Sequence, residues 1–497
     1  MLEFVLKNTV DFIDSKSKEE RKKIGQFFTS KETAIYMAGL FNIATQEEIS
    51  ILDPGAGSGI LVAALVDRFQ KLDTIKLLNI TCYENNTSIL PLLRLNMKHL
   101  QEQSKIKIQF KIIEDNYILS QKNEYNNVLS FDNPYNCTKY DWVIGNPPYL
   151  KIPKDASEAL AMPNVCYGAP NLYFLFASMS LFNLRNGGEM VYIIPRSWTS
   201  GAYFKKFREY VLSHARISHM HLFVSRDKVF DNEQVLQETM IIKLVKTVEP
   251  RENLMITSSA TSQDFENCLS LLVPYDTVVS GSNFYVYLVT TEDEISSLRK
   301  INKLNYTLED IGLKMKTGLT VDFRNRELLR TAPGEHTVPL FYSQHIQNGR
   351  IAFPIGKEFE YLSDTQIGMI QKNKNYLFVK RFTTKEEKRR LQCGIYLSDS
   401  LPDYQFISTQ NKINFIDTVD KSYICEDLAF GLYTIFNSSA YDLYYRILNG
   451  STQVNSTEIN TMPVPSKEIL ISLGKKLKKK QCFSVEICDT LIEELLA

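Results

Sequence analysis

The segment from Ser50 to Phe69 constrains the chain more than any other. A short apolar run, Ser50 to Asp53, reads as a strand, Pro54-Gly55-Ala56-Gly57-Ser58-Gly59 as a turn, and Ile60 to Phe69 as an apolar helix. Glycines at three alternate positions let the backbone take dihedrals that a Cβ forbids and approach a ligand closely. The next strand, Leu77 to Tyr83, ends in Glu84, about 25 residues beyond the last glycine, where a carboxylate can accept both hydroxyls of a ribose. Strand, glycine turn, helix and acid-tipped strand predict the opening of an α/β sheet that binds a nucleoside.

The alternation continues. A strand over Ile106 to Ile113 ends in Glu114-Asp115-Asn116-Tyr117, with Asp115 either a turn residue or an acceptor for an adenine amino group. Tyr140-Asp141-Trp142-Val143-Ile144-Gly145 reads as a buried strand whose ladder Pro147 and Pro148 stop, leaving Asn146 at its carboxyl end with Tyr149 behind it. In open α/β sheets that end faces the ligand. Asp132-Asn133-Pro134-Tyr135 imitates this stretch but lacks the second proline and follows a poorer strand, so the working edge is placed at Asn146. Residues 150 to 170 form a proline-containing loop long enough to suggest a function. A buried helix over Asn171 to Leu184 follows, then a stop and turn at Arg185-Asn186-Gly187-Gly188 and a strand over Met190 to Ile194. After a helix around Tyr203 to Ala215, strands over His219 to Val224 and Thr239 to Val245 flank a loop holding Val229 and Phe230. The pattern predicts a parallel-dominated sheet with helices on both faces.

Upstream, residues 1 to 24 read as an amphipathic helix with a charged tail leading into Gly25-Gln26-Phe27-Phe28-Thr29-Ser30. Thr29 and Glu32 have capping-box spacing, and Thr29 fits either a helix cap or an anchor for a carboxylate at a helix start. The alternation fails near residue 246, and the remainder mixes short strands, turns and helices, ending in a helical Lys467 to Leu496 with a basic cluster at Lys475, Lys476, Lys478, Lys479 and Lys480. Lysines and arginines equal acidic residues at 57 each, so net charge does not announce a polyanionic partner. Basic runs over Lys314 to Arg330 and Lys372 to Arg390 read as solvated faces or binding surfaces. The eight cysteines contain no Cys-x-x-Cys pair, so free thiols and no structural metal are expected. No apolar run reaches the length of a membrane span and the N-terminus does not read as a signal peptide, so a cytoplasmic protein without membrane partners is expected.

In order, Gly25 to Thr29, Asp53 to Gly59, Glu84, Asp115, Asn146-Pro147-Pro148-Tyr149 and Gly187-Gly188 resemble the motif series of γ-class adenine-N6 DNA methyltransferases such as the TaqI-like type II modification enzymes. Beyond residue 246 the likeness is looser: Gly318 to Arg324, His345 and Phe436 to Pro465 look like the specificity domains of type II modification enzymes. The resemblance implies a Rossmann-like S-adenosylmethionine-dependent catalytic domain over 1–245 and a mixed α+β DNA target-recognition domain over 246–497. It implies that Thr29 holds the methionine end of S-adenosylmethionine, that Asp53, Gly55 and Gly57 shape its pocket, that Glu84 takes the ribose, and that Asp115, with Asn116 beside it, takes the cofactor's adenine. Asn146 with Pro147 and Pro148 would carry catalysis, and Tyr149 and Phe230 would stack on a flipped-out adenine; Phe230 reads equally as a plug for its own domain. The expected setting is a monomer on double-stranded DNA, working beside a separate cognate restriction endonuclease. Only 24 residues precede the first motif, too few for an N-terminal nuclease. The rival reading is an Asn-Pro-Pro-Tyr methyltransferase acting on RNA or on a protein glutamine.

Overall fold

The computed structural model describes residues 1–15, 29–43, 45–72, 74–127, 138–223, 239–281, 283–383, 387–449 and 453–496. The chain divides into two compact units, Met1–Thr290 and Thr291–Ala497. The first is built on a nine-stranded sheet: β1 (Glu48–Pro54), β2 (Leu77–Tyr83), β3 (Lys107–Ile113), β4 (Tyr140–Gly145), β5 (Leu184–Pro195), β6 (Arg216–Phe223), β7 (Thr239–Val245), β8 (Asn253–Ser259) and β9 (Leu269–Pro274). Their order is β3-β2-β1-β4-β5-β7-β6-β8-β9. The run from β3 to β5 is parallel, while β7 is antiparallel to both β5 and β6.

Alternation along β5 assigns the helices to two faces. Val191 and Ile193 join a core cluster with α1 (Leu2–Asp14), α2 (Lys31–Gly39), α3 (Ile60–Phe69) and α4 (Leu90–Gln103). Tyr192 between them points the other way, its hydroxyl 2.6 Å from Ser180 Oγ on α5 (Leu172–Asn183), which packs with α6 (Lys205–His214). Trp142 of β4 lies between Phe69 and Phe41, with ring centroids 4.5 and 5.4 Å away. Asp141 ties β4 to β1, its Oδ2 accepting from the Ser50 amide at 2.8 Å and the Ser50 hydroxyl at 2.6 Å.

Three boundaries differ from the sequence reading. The unit runs on to Thr290 instead of stopping at residue 245, because β8 pairs in parallel with β6 and β9 closes antiparallel on β8. Arg185 to Gly188 is not a turn: β5 begins at Leu184 and carries Gly187 at φ +77° within the strand, opposite a register shift in β4. The expected C-terminal helix is two helices, Lys467–Lys480 and Val485–Leu496, separated where Gln481 enters the left-handed region at φ +54°.

The second unit is mixed α+β. It holds a six-stranded sheet centred on Tyr376–Lys380 and Ile413–Thr418, a five-stranded sheet containing Thr337–Phe341 and Tyr361–Ser363, and C-terminal helices that include Glu426–Phe436 and Ser439–Leu448. Among the described residues no helix is long and apolar enough to cross a membrane.

Candidate active site

Strand register brings the expected residues to one edge. Asp53 pairs with Cys82 and Pro54 with Tyr83, while Leu52 pairs with Val143, so Glu84 and Asn146 follow directly where the three neighbouring strands end. Tyr83 pairs with Ile113, which brings Asp115 to the same rim. Beyond this rim lies a cavity of about 290 Å³ lined by Thr29, Gly55, Gly57, Glu84, Asp115, Asn116, Asn146, Pro147 and Pro148. That volume is near the lower end for small-molecule sites.

The glycine loop makes the cradle. Gly55, Gly57 and Gly59 all lie at positive φ, +77°, +57° and +82°, and the Gly55 and Ala56 amides donate to the Tyr83 carbonyl at 2.8 and 2.9 Å. Glu84, 5% exposed, accepts from the Gly57 amide at 2.9 Å and the Asn86 amide at 2.8 Å. Burial raises its pKa, and these amides pull it back. A carboxylate offers about four lone-pair sites, so these amides leave acceptor capacity for a vicinal diol.

Asp53 sits deeper than expected. It is 1% exposed, does not line the cavity, and neither carboxylate oxygen has a hydrogen-bond partner among the described residues. Burial first, then the neighbouring Glu84 charge, pushes its pKa well above the carboxylate range. A carboxyl with a raised folded-state pKa opposes folding as pH rises, because its charge must be buried. Asp53→Asn should therefore raise the melting temperature of the ligand-free protein at pH 8 by a few degrees, on the order of 1–2 kcal/mol, and the gain should vanish below about pH 4. Thermal melts across that range test this, and a gain that persists at low pH contradicts it.

Asn146 is held from two sides. Its Nδ2 donates to the Thr29 hydroxyl at 3.2 Å, and the Tyr149 hydroxyl lies 2.9 Å from its Oδ1 and 3.0 Å from the Ile193 carbonyl. An amide oxygen carries two lone pairs, and that hydroxyl has a single hydrogen to offer it. Burial, with Tyr173 beside it, raises the Tyr149 pKa and keeps the phenol neutral. Gly145 before Asn146 is required by packing: a Cβ there would stand 2.6 Å from the Tyr192 ring.

Thr29 is not the helix cap, since Ser30 caps α2 by accepting from the Thr33 amide. Asn116 caps the one-turn helix Tyr117–Ser120, accepting from the Ile118 and Leu119 amides at 3.1 Å, and its Nδ2 donates to Glu158 at 2.8 Å. Tyr149 is 9% exposed, with its ring edge-on to Tyr173 at 6.3 Å, and is not among the lining residues. Phe230, Gly25 to Phe28 and Asp132 to Tyr135 lie outside the described residues. The sequence reading missed Tyr117, Leu150, Glu158 and Phe176, which also line the cavity. Phe176 sits on α5, where a helical apolar residue reads as core, but Tyr117 and Leu150 each adjoin a motif and were within reach.

A buried carboxylate beside positive-φ glycines, with a primary amide and two prolines lining the same cavity, suits a nucleoside next to a hydrogen-bonding amide. The chain is 35% identical over 490 residues to the type II methyltransferase M.BsuBI of Bacillus subtilis, covering 96% of this chain and 95% of that protein. The chain belongs to the type II methyltransferases. Residues 63–230 of this methyltransferase match the family described as Eco57I restriction-modification methylase. It is also 34% identical to the type II methyltransferase M.PstI of Providencia stuartii, over 92% of this chain and 90% of that one. Among solved structures, a nuclease-deletion mutant of the Type ISP restriction-modification enzyme LlaGI, in complex with a DNA substrate mimic, shares the fold at a TM-score of 0.51 and 10% identity, covering 92% of this chain and 55% of that one.

Proposed function

We propose that this type II methyltransferase uses S-adenosylmethionine to methylate N6 of an adenine extruded from a specific site in double-stranded DNA, acting as a monomer beside a separate restriction endonuclease. The observation that carries this reading is that Asn146, Pro147 and Pro148 line the same cavity as Gly55, Gly57, Glu84 and Asp115. S-adenosylmethionine supplies an electrophilic methyl group on a sulfonium. Thr29 holds its methionine end, Gly55 and Gly57 let the backbone approach, Glu84 accepts from the ribose hydroxyls, and Asp115 accepts from the cofactor's adenine amine, with Asn116 fixing the wall beside it. Asp53 shapes the pocket from beneath.

An adenine amino nitrogen is a weak nucleophile because its lone pair is delocalised into the ring. Asn146 Oδ1 and the Pro147 carbonyl can each accept one amine hydrogen, which drives the nitrogen towards tetrahedral geometry and localises the lone pair. Asparagine cannot act as a base, and the proton leaves once methylation has made the nitrogen acidic. Catalysis is then positioning by fixed dipoles. Extruding the base costs a few kcal/mol, which stacking on Tyr149 and on Phe230 offsets. Tyr149→Ala should weaken capture of a 2-aminopurine target, read as a smaller fluorescence rise on binding, with cofactor affinity preserved; an unchanged rise contradicts the stacking role.

The function is tested by mapping modified bases in the DNA of a host with and without this protein. N6-methyladenine at one sequence context, present only with the protein, is the expected result. No new modification, or one on cytosine, refutes the reading.

A further inference from the structure

The second unit contains a cavity of about 510 Å³ on which two separated segments converge, one carrying Asp322, Phe323 and Arg326, the other Tyr342 and then Lys357 and Glu358. Its scaffold is buried and polar. Glu360 accepts from the Ile355, Gly356 and Lys357 amides at 2.8, 3.0 and 3.1 Å and stands 2.7 Å from His345 Nε2. The Tyr342 amide donates to His345 Nδ1 at 2.8 Å, so the ring hydrogen sits on Nε2 and is donated to Glu360. One buried histidine-carboxylate pair thus fixes both the turn presenting Lys357 and the strand end presenting Tyr342, with the Lys357 ammonium 4.7 Å from the Tyr342 ring centroid.

Arg326 is exposed, Phe323 is 64% exposed on a short 3-10 turn, and the Lys357 ammonium rests against the Tyr342 ring. In the basic patch near the C-terminus, by contrast, two of the five lysines are tied to the protein's own carboxylates: Lys476 pairs with Glu494 at 3.0 Å, and Lys478 with Glu426 and Asp427 at 2.9 and 3.1 Å. A surface that only holds phosphates needs cations alone. This cavity sets cations beside carboxylates and an exposed apolar ring, the mixture needed where base edges alternate donors, acceptors and thymine methyl groups.

We propose that this cavity reads base edges of the DNA target, with Arg326 as its principal donor and Lys357, Asp322 and Phe323 as secondary contacts. The inference rests on the proposed action on DNA. An arginine that reads a base aims two parallel N–H donors from a rigid planar fork, a geometry that a flexible lysine ammonium matches less well, whereas a phosphate contact carries no sequence information and its loss weakens all duplexes alike.

The test is fluorescence anisotropy with the full chain, comparing the duplex sequence the wild type modifies with duplexes changed at one base pair, for wild type, Arg326→Ala and Arg326→Lys. Binding rather than turnover is measured, so an inactive variant still gives an answer, and circular dichroism confirms folding. Both variants are expected to lose discrimination at one base-pair position by roughly 10- to 100-fold while keeping it at the others. If Arg326→Lys behaves as wild type, or both variants weaken all duplexes equally, Arg326 touches phosphate or nothing and the proposal is overturned. A wild type that modifies no DNA would instead sink the underlying functional reading.

Discussion

Asn146→Ala is expected to lower the turnover number by roughly 10³-fold, the scale found when one preorganised polar contact to a transition state is removed. Cofactor affinity should stay within about threefold, because the proposed role of Asn146 is towards the target amine, whereas the cofactor is assigned to Glu84 and the glycine loop. The variant should fold, since Asn146 is only part-buried and the Tyr149 hydroxyl keeps the Ile193 carbonyl as an acceptor when the amide is removed. Single-turnover methylation with equilibrium dialysis of the labelled cofactor separates the two effects. A variant with normal turnover, or one whose loss is all in cofactor binding, contradicts the assigned role.

Glu84→Ala should act on the opposite term. Two charge-assisted bonds to ribose hydroxyls contribute about 1.5–3 kcal/mol each, and the same carboxylate anchors the Gly57 and Asn86 amides, so cofactor affinity should fall by at least about 100-fold. Glu84→Gln should recover part of this, because its carbonyl still accepts one hydroxyl. The raised pKa of Glu84 adds a pH signature. Ribose hydroxyls favour its ionised form, so wild-type affinity should weaken as pH falls through a range above that of an ordinary glutamate, and the Gln variant should lack this step. Calorimetric titration from pH 5 to pH 8 checks both expectations.

The catalytic edge was legible because its chemistry sits where secondary structure changes. Glu84, Asp115 and Asn146 each end a strand with recognisable periodicity, and parallel pairing carries all three ends to one rim. What could not be read were tertiary choices between local equals. Thr29 and Ser30 are both good caps, and only the fold shows that Ser30 serves α2 while Thr29 meets Asn146. Asp53 looks like any acidic residue before a glycine turn, and only the fold shows that it is buried with neither carboxylate oxygen partnered among the described residues. The sheet outruns residue 245 because β8 and β9 add to it without a second glycine turn to mark them. In the second unit, His345 and Glu360 are 15 residues apart with no periodic signal between them, so their pairing was invisible in the sequence.

The central claim, that Asn146 grips the exocyclic amine of an adenine, is met most directly by incubating the protein with cofactor labelled on its methyl group and duplex DNA containing its site, then digesting the DNA to nucleosides. All incorporated label should elute as N6-methyladenosine of the deoxy series, and Asn146→Ala should remove it without reducing bound cofactor. Label in a methylated cytosine, or in the protein or RNA fraction while the DNA stays unlabelled, would contradict the account.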